Sequence, residues 1–434
     1  MSNEVIGMMG IGFMLILFFI GVPVAFSMAI AGVAGFTVIV GVNPAVNLLT
    51  QDLYEGLSSY PLSVIPMFVL MGGYAFAAGI GGKLYDTAYA WVGRFRGGLC
   101  MATICACAAF GAVCGSTAAT SATIGKIALP EMRKYGYDDQ LATGTLAAGG
   151  VLGILIPPST VFIVYGILVE ESIGKLFIAG IGPGILLTIL YCLVVVMLCA
   201  RNPALGPAGS PTTWKEKIKS LVNFTDAIIL FVVAIGGLFA GIFTPTQSGA
   251  IGAAGALAIG LLRRQVTWKR FVEVTRDALW TSCMILFIIA GAIVFGHFMT
   301  VTGIPTSLVD WVGGLPISRM AVMGIIIFIF FIGGMLMDAM ALIVVGIPIF
   351  YPLVRKLGFD PIWFGAMVVL MGGMGVISPP VGVNVFVIKG IAPDVPIGVI
   401  FRGIMPFLVA IFVATGFIMI FPQIVTFLPS FITY

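Results

Sequence analysis

Long apolar segments separated by short polar or glycine-rich stretches run along the whole chain, and their lengths predict helices. A helix needs about 20 apolar residues to cross the hydrocarbon core of a bilayer. In the first half we expect such helices over about 4–20, 23–42, 63–80 and 175–200, with an interfacial stretch at about 45–60. In the second half we expect them over about 222–241, 245–262, 278–300 and 397–421, with an interfacial helix at 265–276. The pattern therefore predicts an all-α polytopic membrane protein.

One apolar segment in each half is interrupted by small or polar residues near its middle. In the first half it covers about 98–134 and is interrupted at 115–121, where the sequence reads Gly-Ser-Thr-Ala-Ala-Thr-Ser. The arms on either side look too short to span the bilayer, which predicts a re-entrant helical hairpin that enters and leaves on one side. The second half repeats the pattern over about 320–356, with the hairpin tip near Asp338.

A second interrupted segment in each half contains a glycine-rich run that ends in a double proline. These segments cover about 138–168, with Pro157 and Pro158, and 360–388, with Pro379 and Pro380. A proline pair removes two backbone donors and clashes with the preceding turn, so we expect the helix to break there. Backbone groups freed in hydrocarbon are costly unless protein, water or an ion satisfies them. Two such breaks at matching positions indicate a transporter binding site.

The two halves match each other at one constant offset. Pro23 corresponds to Pro245, Gly111 to Gly333, and the first double proline to the second, with 379 − 157 = 222 residues between them. An ungapped match over this span indicates an internal duplication. We therefore divide the chain into a first repeat over 1–210, a linker over 211–221 and a second repeat over 222–434.

The positions of the positive charges predict the orientation of the two repeats. If the hairpins do not cross, each repeat has five spans, and an odd number places the repeats in opposite orientations. With the amino terminus outside, the only Lys and Arg residues that also lie outside are Lys175, Arg319, Arg355 and Lys356, out of 21 in the chain. This bias follows the positive-inside rule. We therefore expect both termini in the periplasm and hairpin tips that meet the two breaks near the bilayer midplane.

The composition agrees with a membrane protein and disfavours other classes of function. Hydrophobic residues make up 60% of the chain and charged residues 9%, with a mean hydropathy of +1.17, whereas soluble domains carry about 25% charged residues. One histidine and seven cysteines in apolar segments offer no metal-ligand cluster, so an intramembrane enzyme or redox protein is disfavoured. We interpret His297 as a packed or cavity-lining side chain, with a proton relay as the alternative.

The hydroxyl groups of the first hairpin tip are candidate ion ligands. Four of them lie at the interruption: Ser116, Thr117, Thr120 and Ser121. Hydroxyl oxygens and freed backbone carbonyls are hard ligands that suit Na⁺, and the amino termini of half-helices favour an anion. The alternative is that these small residues only allow close helix packing.

Asp338 is the most specific candidate for a functional residue in the second half. It corresponds to Ser116 at the same offset, and we expect it to be the only acidic residue within an apolar segment. An aspartate in the middle of a bilayer costs about 2.5–3.5 kcal/mol on insertion scales, so it should have a partner. It would ligate a cation and orient the hairpin tip, anchor the tip through a structural hydrogen bond, or act in a proton relay.

Two polar residues follow the breaks. Ser159 comes directly after the first double proline, and Asn384 lies shortly after the second. The amide of Asn384 would bind a carbonyl group or an ion, or form a hydrogen bond between helices.

Together these motifs resemble the large membrane subunit, or DctM type, of tripartite ATP-independent periplasmic (TRAP) transporters. The resemblance covers essentially the whole chain and rests on residues 21–26, 110–116, 156–159, 333–334 with Asp338, and 378–384. Many members of that family carry an acidic residue in the first tip where this chain has Thr120.

The resemblance implies a Na⁺-driven importer of a small organic acid anion, a carboxylate or a sulfonate, with no organic cofactor and no nucleic-acid partner. It implies a periplasmic substrate-binding protein and a separately encoded small four-helix membrane subunit. The large subunit would lie in the bacterial inner membrane, with a scaffold and a transport domain of the elevator type. The alternative is a free-standing Na⁺/dicarboxylate symporter of the same architecture that needs no binding protein.

The resemblance also implies two sodium sites, where each hairpin tip meets its broken helix. One would use Ser116, Gly153 and Pro157, and the other Asp338, Gly375 and Pro379. The remaining residues expected around sodium and substrate are Thr117, Thr120, Ser121, Gly149, Ser159, Ala339, Ser378, Gly382 and Asn384.

Overall fold

Every regular element in residues 1–431, the part of the chain that the computed structural model describes, is helical. The first half contains α1 Asn3–Phe19, α2 Val24–Val40, α3 Val42–Ser58, α4 Val64–Ala77, α5 Ile80–Val92, α6 Gly98–Cys114, α7 Thr117–Lys134, α8 Asp139–Gly149, α9 Leu152–Leu155, α10 Thr160–Val169 and α11 Ile173–Arg201. The second half contains α12 Trp214–Leu230, which continues as a π-helix over Phe231–Gly236, then α13 Gly237–Phe239, α14 Pro245–Leu262, α15 Trp268–Thr302, α16 Ile304–Gly313, α17 Arg319–Leu336, α18 Ala339–Lys356, α19 Pro361–Gly375, α20 Val383–Ile391, α21 Ile397–Ile420 and α22 Gln423–Thr426. The prediction of an all-α membrane protein is confirmed.

Short polar side chains start the helices around the interruptions. Ser116 and Asp338 cap α7 and α18, and Ser159 caps α10, each by accepting a hydrogen bond from a backbone N–H of the first turn. Such caps satisfy donors that the helix itself cannot pair. Gly115 ends α6 with φ at +69°, a conformation that glycine adopts without a steric penalty. The capping side chains and Gly115 therefore determine where these interrupted segments turn.

Both double prolines interrupt their helices, as the sequence predicts. The first broken helix consists of α8, the single turn α9 and α10, and its two arms are bent by 40°. In the second, α19 ends at Gly375 and α20 begins only at Val383. Proline cannot donate the hydrogen bond that a continuous helix would need. Two apolar segments thus contain backbone groups outside the helical hydrogen-bond ladder.

The predicted offset recurs in the helix bounds. α7 begins at Thr117 and α18 at Ala339, and these helices end at Lys134 and Lys356, so both bounds differ by 222 residues (339 − 117 and 356 − 134). The match agrees with the predicted duplication, and the boundaries of the two repeats stay a prediction. The opposite orientation of the two repeats stays a prediction.

The lengths of the helices bear on the predicted number of spans and on the hairpins. Within residues 1–431, seven helices are long and apolar enough to cross a membrane, or eight if the bent pair counts as one span, whereas the sequence analysis predicts ten. The arms of the first hairpin have 17 and 18 residues, about 26 Å each at 1.5 Å per residue. Neither arm is among the helices long and apolar enough to cross, in agreement with the prediction, whereas both arms of the second hairpin, Arg319–Leu336 and Ala339–Lys356, are. Re-entrance stays a prediction, supported by the contacts of the tips.

Several elements differ from the sequence prediction. The sequence analysis does not predict α5 or α16, the short helices that precede the two hairpins. Helix α15 runs unbroken for 35 residues from Trp268, so most of the interfacial helix predicted at 265–276 is the first part of a longer helix. Helix α12 begins at Trp214, and part of the predicted linker is therefore helical.

The helices pack in two groups. In one group, α2 lies along α15 and α4 lies along α14. In the other, the hairpins and broken helices pack with α11 and α21, where α8 lies against α21 and α17 against α19. Glycines allow close backbone approach here, since a Cβ atom on Gly144 would overlap the backbone of Gly403. Every residue of α19 from Trp363 to its end is buried, so the second break begins at the centre of this group.

Candidate functional site

The first hairpin tip lies against the first helix break. Thr160, which starts α10, donates a hydrogen bond from Oγ1 to the carbonyl oxygen of Gly115 at 3.2 Å. A Cβ atom on Gly115 would lie 2.7 Å from the carbonyl oxygen of Pro158. Ser116 Oγ accepts a hydrogen bond from the backbone N–H of Ala119 at 3.4 Å. The tip and the double proline are thus in direct contact.

Ser116 and Thr120 present oxygen atoms to the backbone of Gly153. A Cβ atom on Gly153 would lie 2.7 Å from the Ser116 carbonyl oxygen and 2.5 Å from Thr120 Oγ1. Thr120 is fully buried, and among the described residues its hydroxyl has no oxygen or nitrogen partner, although the thiol of Cys114 lies beside it. A buried polar atom without a partner is costly and indicates an ion or water that the protein alone does not supply. The hydroxyl and the carbonyl oxygen form part of a hard-ligand set for a cation.

A second group of polar atoms converges one turn away, on Gly150. A Cβ atom there would lie 2.7 Å from Asn384 Nδ2 and 2.9 Å from the Thr117 carbonyl oxygen, and it would overlap Ser121 Oγ. The hydroxyl of Ser121 donates to the Leu146 carbonyl oxygen at 3.3 Å. This group therefore joins α7, the first broken helix and α20.

Asn384 belongs to this group beside the first break, although it follows the second double proline in sequence. Its Nδ2 donates to the Ala147 carbonyl oxygen of α8 at 3.1 Å. Its Oδ1 is buried and has no partner among the described residues. The structure therefore shows the hydrogen bond between helices that the sequence analysis left as one alternative, and it places a free acceptor beside the first hairpin.

Gly149 and the hydroxyl group of Ser159 have contacts other than the hairpin tip. A Cβ atom on Gly149 would lie 2.9 Å from Cys107 Sγ, so this glycine packs against α6. Ser159 Oγ accepts from the Phe162 N–H at 3.3 Å and is used in capping α10. Pro157 is buried. Of the expected residues on this side, Ser116, Thr117, Thr120, Ser121 and Gly153 are brought together.

Asp338 caps the helix that follows the second tip. Its Oδ1 accepts from the Met340 N–H at 2.8 Å and from the Ala341 N–H at 3.2 Å. Both bonds use one carboxylate oxygen, and the side chain is exposed. The structure thus shows the anchoring role, because the cap fixes the turn at the hairpin tip.

The second tip also packs against its broken helix through glycines. A Cβ atom on Gly375 would overlap the backbone of Gly334 in α17, and one on Gly372 would lie 2.8 Å from Ala339 Cβ. Ser378 Oγ donates to the Met374 carbonyl oxygen at 2.8 Å. Ala339 and Gly375 therefore lie at the contact, whereas the Ser378 hydroxyl is already paired within its own segment.

The second break is more open than the first. Pro379 is half-buried and Pro380 is exposed, whereas Pro157 and Pro158 are both buried. Gly382 starts α20 with φ at +60°, and a Cβ atom on it would lie 2.9 Å from the ring of Phe401. The two breaks are thus related in sequence but differ in their exposure in this structure.

A buried carboxylate that the sequence analysis does not single out lies in α12. Asp226 pairs with Lys83 of α5 at 2.8 Å and with Arg263 at the end of α14 at 2.6 Å, and its side chain is 8% exposed. It lies within an apolar candidate span, so the expectation that Asp338 is the only such acid is wrong. The offset pairs Asp226 with Glu4 (226 − 4 = 222), an acidic match that could have revealed it.

His297 also has a carboxylate partner. Its Nδ1 lies 2.8 Å from Oδ2 of Asp52 in α3. Asp52 is buried, whereas the imidazole is half-exposed. The pair joins α15 to α3, the helix in the stretch predicted to be interfacial.

The comparison with known families decides what kind of protein carries this arrangement. The profile of the DctM component of the tripartite ATP-independent periplasmic transporters matches residues 11–424. The chain belongs to this family. The resemblance inferred from the motifs is therefore confirmed, and the protein is a multi-pass membrane component of a TRAP transporter.

Relatives of known name match across most of this TRAP chain. The C4-dicarboxylate TRAP transporter large permease protein DctM of Pseudomonas aeruginosa is 35% identical over 401 residues, which cover 92% of each chain. The sialic acid TRAP transporter large permease protein SiaM of Vibrio cholerae is 29% identical over 416 residues, 95% of this chain and 96% of that one. The isethionate TRAP transporter permease protein DctMQ of Oleidesulfovibrio alaskensis is 33% identical over 382 residues, 88% of this chain and 60% of that longer protein.

Two solved transporters share the fold of this TRAP subunit. The YdaH transporter of Alcanivorax borkumensis superimposes with a TM-score of 0.66 at 15% identity, over 87% of this chain and 88% of that one. The MtrF protein of Neisseria gonorrhoeae superimposes with a TM-score of 0.60 at 15% identity, over 88% and 85% of the two chains. At this identity the comparison shows the fold alone.

Proposed function

We propose that this chain is the large permease subunit of a TRAP transporter that imports a small organic acid anion together with Na⁺. The observation that carries the proposal is the buried hydroxyl of Thr120, which has no oxygen or nitrogen partner among residues 1–431 and faces Gly153 beside the carbonyl oxygen of Ser116. An oxygen set of this kind suits a hard cation, and broken helices in transporters bind coupling ions through freed carbonyls.

The first sodium site would use Ser116, Gly153 and Pro157, with Thr120 as a further ligand. The second would use Asp338, Gly375 and Pro379, the tip and break residues of the other half. Because Asp338 caps α18 through Oδ1, its other carboxylate oxygen is free to ligate a cation. Sodium would neutralise that charge and hold each tip against its break.

The substrate would be a small carboxylate or sulfonate. The relatives include permeases named for C4-dicarboxylates, sialic acid and isethionate. Each of these three kinds of compound carries an acidic group. The amino termini of α7 and α10 lie at the first tip and break, where helix dipoles favour negative charge.

Transport would follow an elevator mechanism with partner subunits. The group formed by α2, α4, α14 and α15 would be the scaffold, and the hairpins, broken helices, α11 and α21 would move as the transport domain. A small membrane subunit would support the scaffold, and a periplasmic binding protein would deliver the substrate. The complex would lie in the inner membrane with both termini of this chain in the periplasm, as the distribution of Lys and Arg favours.

Uptake into proteoliposomes tests the proposal. The chain, co-purified with its small subunit, would be reconstituted and given radiolabelled succinate, sialic acid or isethionate, with or without a purified binding protein. We expect uptake to need both the binding protein and an inward Na⁺ gradient, and a K⁺ gradient of equal size to give none. Uptake that persists without any binding protein would favour the free-standing symporter instead. Equal uptake with K⁺ would contradict sodium coupling.

A further inference from the structure

An apolar crevice between α5, α6 and α12 lies apart from the hairpin tips. Its volume is about 300 Å³. The side chains that line it include Leu84, Ala88 and Trp91 of α5, Ala109 of α6, and Leu221 and Phe224 of α12. Almost all of its surface is hydrocarbon or aromatic, so it suits an acyl chain.

The walls of the crevice are held at a fixed spacing by polar contacts. Thr87 Oγ1 of α5 donates to the Ser220 carbonyl oxygen of α12 at 2.9 Å. Farther along the same two helices, Lys83 pairs with Asp226 at 2.8 Å. Arg263 also pairs with Asp226. Both cations at this end of the crevice therefore already have a carboxylate partner.

The opposite end holds a buried cation. Lys217 is only 5% exposed, and its Nζ lies 4.9 Å from the ring centroid of Trp214 and 5.9 Å from that of Trp91. It lies one helical turn before Leu221, which lines the crevice. The two rings stabilise the ammonium group in part. No carboxylate among residues 1–431 pairs with it, and a buried charge without a counter-ion is unfavourable.

The surroundings of Lys217 are basic as well. Lys215 and Lys219 are exposed on the same helix, and Arg94 and Arg96 are exposed in the turn after α5. The acid in this stretch, Glu216, accepts hydrogen bonds from the backbone and hydroxyl of Thr213 in a capping box. The field at this end of the crevice therefore attracts an anion.

We propose that the crevice binds an anionic phospholipid, with one acyl chain between α5, α6 and α12 and the phosphate on Lys217. The combination of an apolar slot with a buried, unpaired ammonium group matches a lipid rather than a free anion or a hydrocarbon. The residues that line this crevice include no Lys or Arg, and neither do those of a second crevice of about 260 Å³ lined by residues such as Ile229, Val233 and Ile259. The charge that would hold the phosphate is therefore that of Lys217, which lies beside Trp91 at the end of the first crevice. Bound lipid would join α5 and α12 to α6, the first arm of the first hairpin.

Native mass spectrometry of the purified subunit, alone and with its small subunit, tests this site. The probes are dioleoyl phosphatidylglycerol, dioleoyl phosphatidylcholine, dioleoylglycerol and glycerol phosphate. We expect one phosphatidylglycerol to be retained, with an affinity about tenfold above that for phosphatidylcholine or dioleoylglycerol, as a charge-assisted contact provides. Glycerol phosphate should not bind, because it has no acyl chain.

Three variants separate the site from general surface charge. Lys217→Gln should lower the affinity for phosphatidylglycerol about tenfold, and Ala109→Phe should lower it by filling the slot while all charges remain. Lys219→Gln removes the same charge from an exposed position and should change the affinity less than twofold.

Three results would overturn the proposal. The first is that folded Lys217→Gln or Ala109→Phe retains phosphatidylglycerol as well as wild type does. The second is that Lys219→Gln loses as much affinity for phosphatidylglycerol as Lys217→Gln does. The third is that the lipid is lost whenever the small subunit is bound. The last result would assign the crevice to a helix of that subunit. Ala109→Phe decides the matter if Lys217→Gln does not fold.

Discussion

Gly153→Ala is the sharpest test of the first sodium site, because the added methyl group enters the space between Ser116, Thr120 and the broken helix. Ordinary van der Waals contact begins at 3.4 Å, whereas the new Cβ atom would lie 2.7 Å from the Ser116 carbonyl oxygen and 2.5 Å from Thr120 Oγ1. The tip would have to withdraw by at least 0.7 Å at Ser116 (3.4 − 2.7). Overpacking of this kind costs about 1–3 kcal/mol.

The effect should fall on sodium binding more than on folding. Alanine favours a helix over glycine by about 1 kcal/mol, so the net change in the free energy of unfolding should be about 0–2 kcal/mol. The withdrawn tip can no longer offer both oxygens to one ion. A loss of about 1–2 kcal/mol in the ion-bound state corresponds to a roughly 5–30-fold rise in the Na⁺ concentration for half-maximal uptake.

The assay is the sodium dependence of uptake in proteoliposomes, with the thermal unfolding midpoint measured on the same preparation. Gly416→Ala is the matched control, since nothing lies within 4 Å of its added Cβ atom, and its sodium dependence should equal that of wild type. A folded Gly153→Ala protein with unchanged half-saturation by Na⁺ would refute the assignment of this contact to sodium binding.

Three further substitutions test neighbouring contacts. Asp338→Asn keeps an oxygen that can cap the helix but removes the charge, so it should abolish Na⁺-dependent uptake with little change in stability. Asp338→Ala should in addition lower the free energy of unfolding by about 1 kcal/mol, because the cap is lost. Normal uptake by Asp338→Asn would show that the residue only caps the helix. Asp226→Asn should lower the free energy of unfolding, measured in denaturant, by about 1–3 kcal/mol. This loss is smaller than that for breaking a fully buried ion pair, because Lys83 is partly exposed. Unchanged stability would show that the ion pairs of Asp226 contribute nothing. Asn384→Leu should cost about 1–3 kcal/mol by leaving the Ala147 carbonyl oxygen unpaired, which a constant thermal midpoint would contradict.

The helix breaks could be predicted from sequence because their causes are local. A proline pair cannot continue a helix, and Ser116, Ser159 and Asp338 cap the helices that restart after each interruption. Because the two halves match at an offset of 222 residues, the interruptions in the first half also give the positions of those in the second half. The assignment of Gly153 and Gly375 to the sodium sites came instead from the family resemblance, and each of these glycines lies four residues before its double proline (157 − 153 and 379 − 375).

Contacts between distant segments could not be predicted in this way. Asn384 bonds to Ala147 across 237 positions, and nothing in the local pattern indicates that α20 reaches the first broken helix. Asp226 lies inside the predicted span 222–241, but its ion pairs could not be predicted because the two cations come from α5 and α14. Helices α5 and α16 are short and amphipathic, so they lack the long apolar run on which the prediction of spans depends.

Sodium binding by the purified subunit tests the central claim most directly. Thermal unfolding would be followed in NaCl and in KCl of equal ionic strength for wild type, Thr120→Val and Thr123→Val. Thr123→Val is the control, because the hydroxyl of Thr123 already donates a hydrogen bond to the Ala119 carbonyl oxygen at 2.6 Å. A ligand that binds only the folded state raises the midpoint with its concentration. We predict that Na⁺ but not K⁺ raises the midpoint of wild type and Thr123→Val, and that Thr120→Val loses most of this shift. Equal midpoints in the two salts, or a full sodium shift in Thr120→Val, would contradict the account.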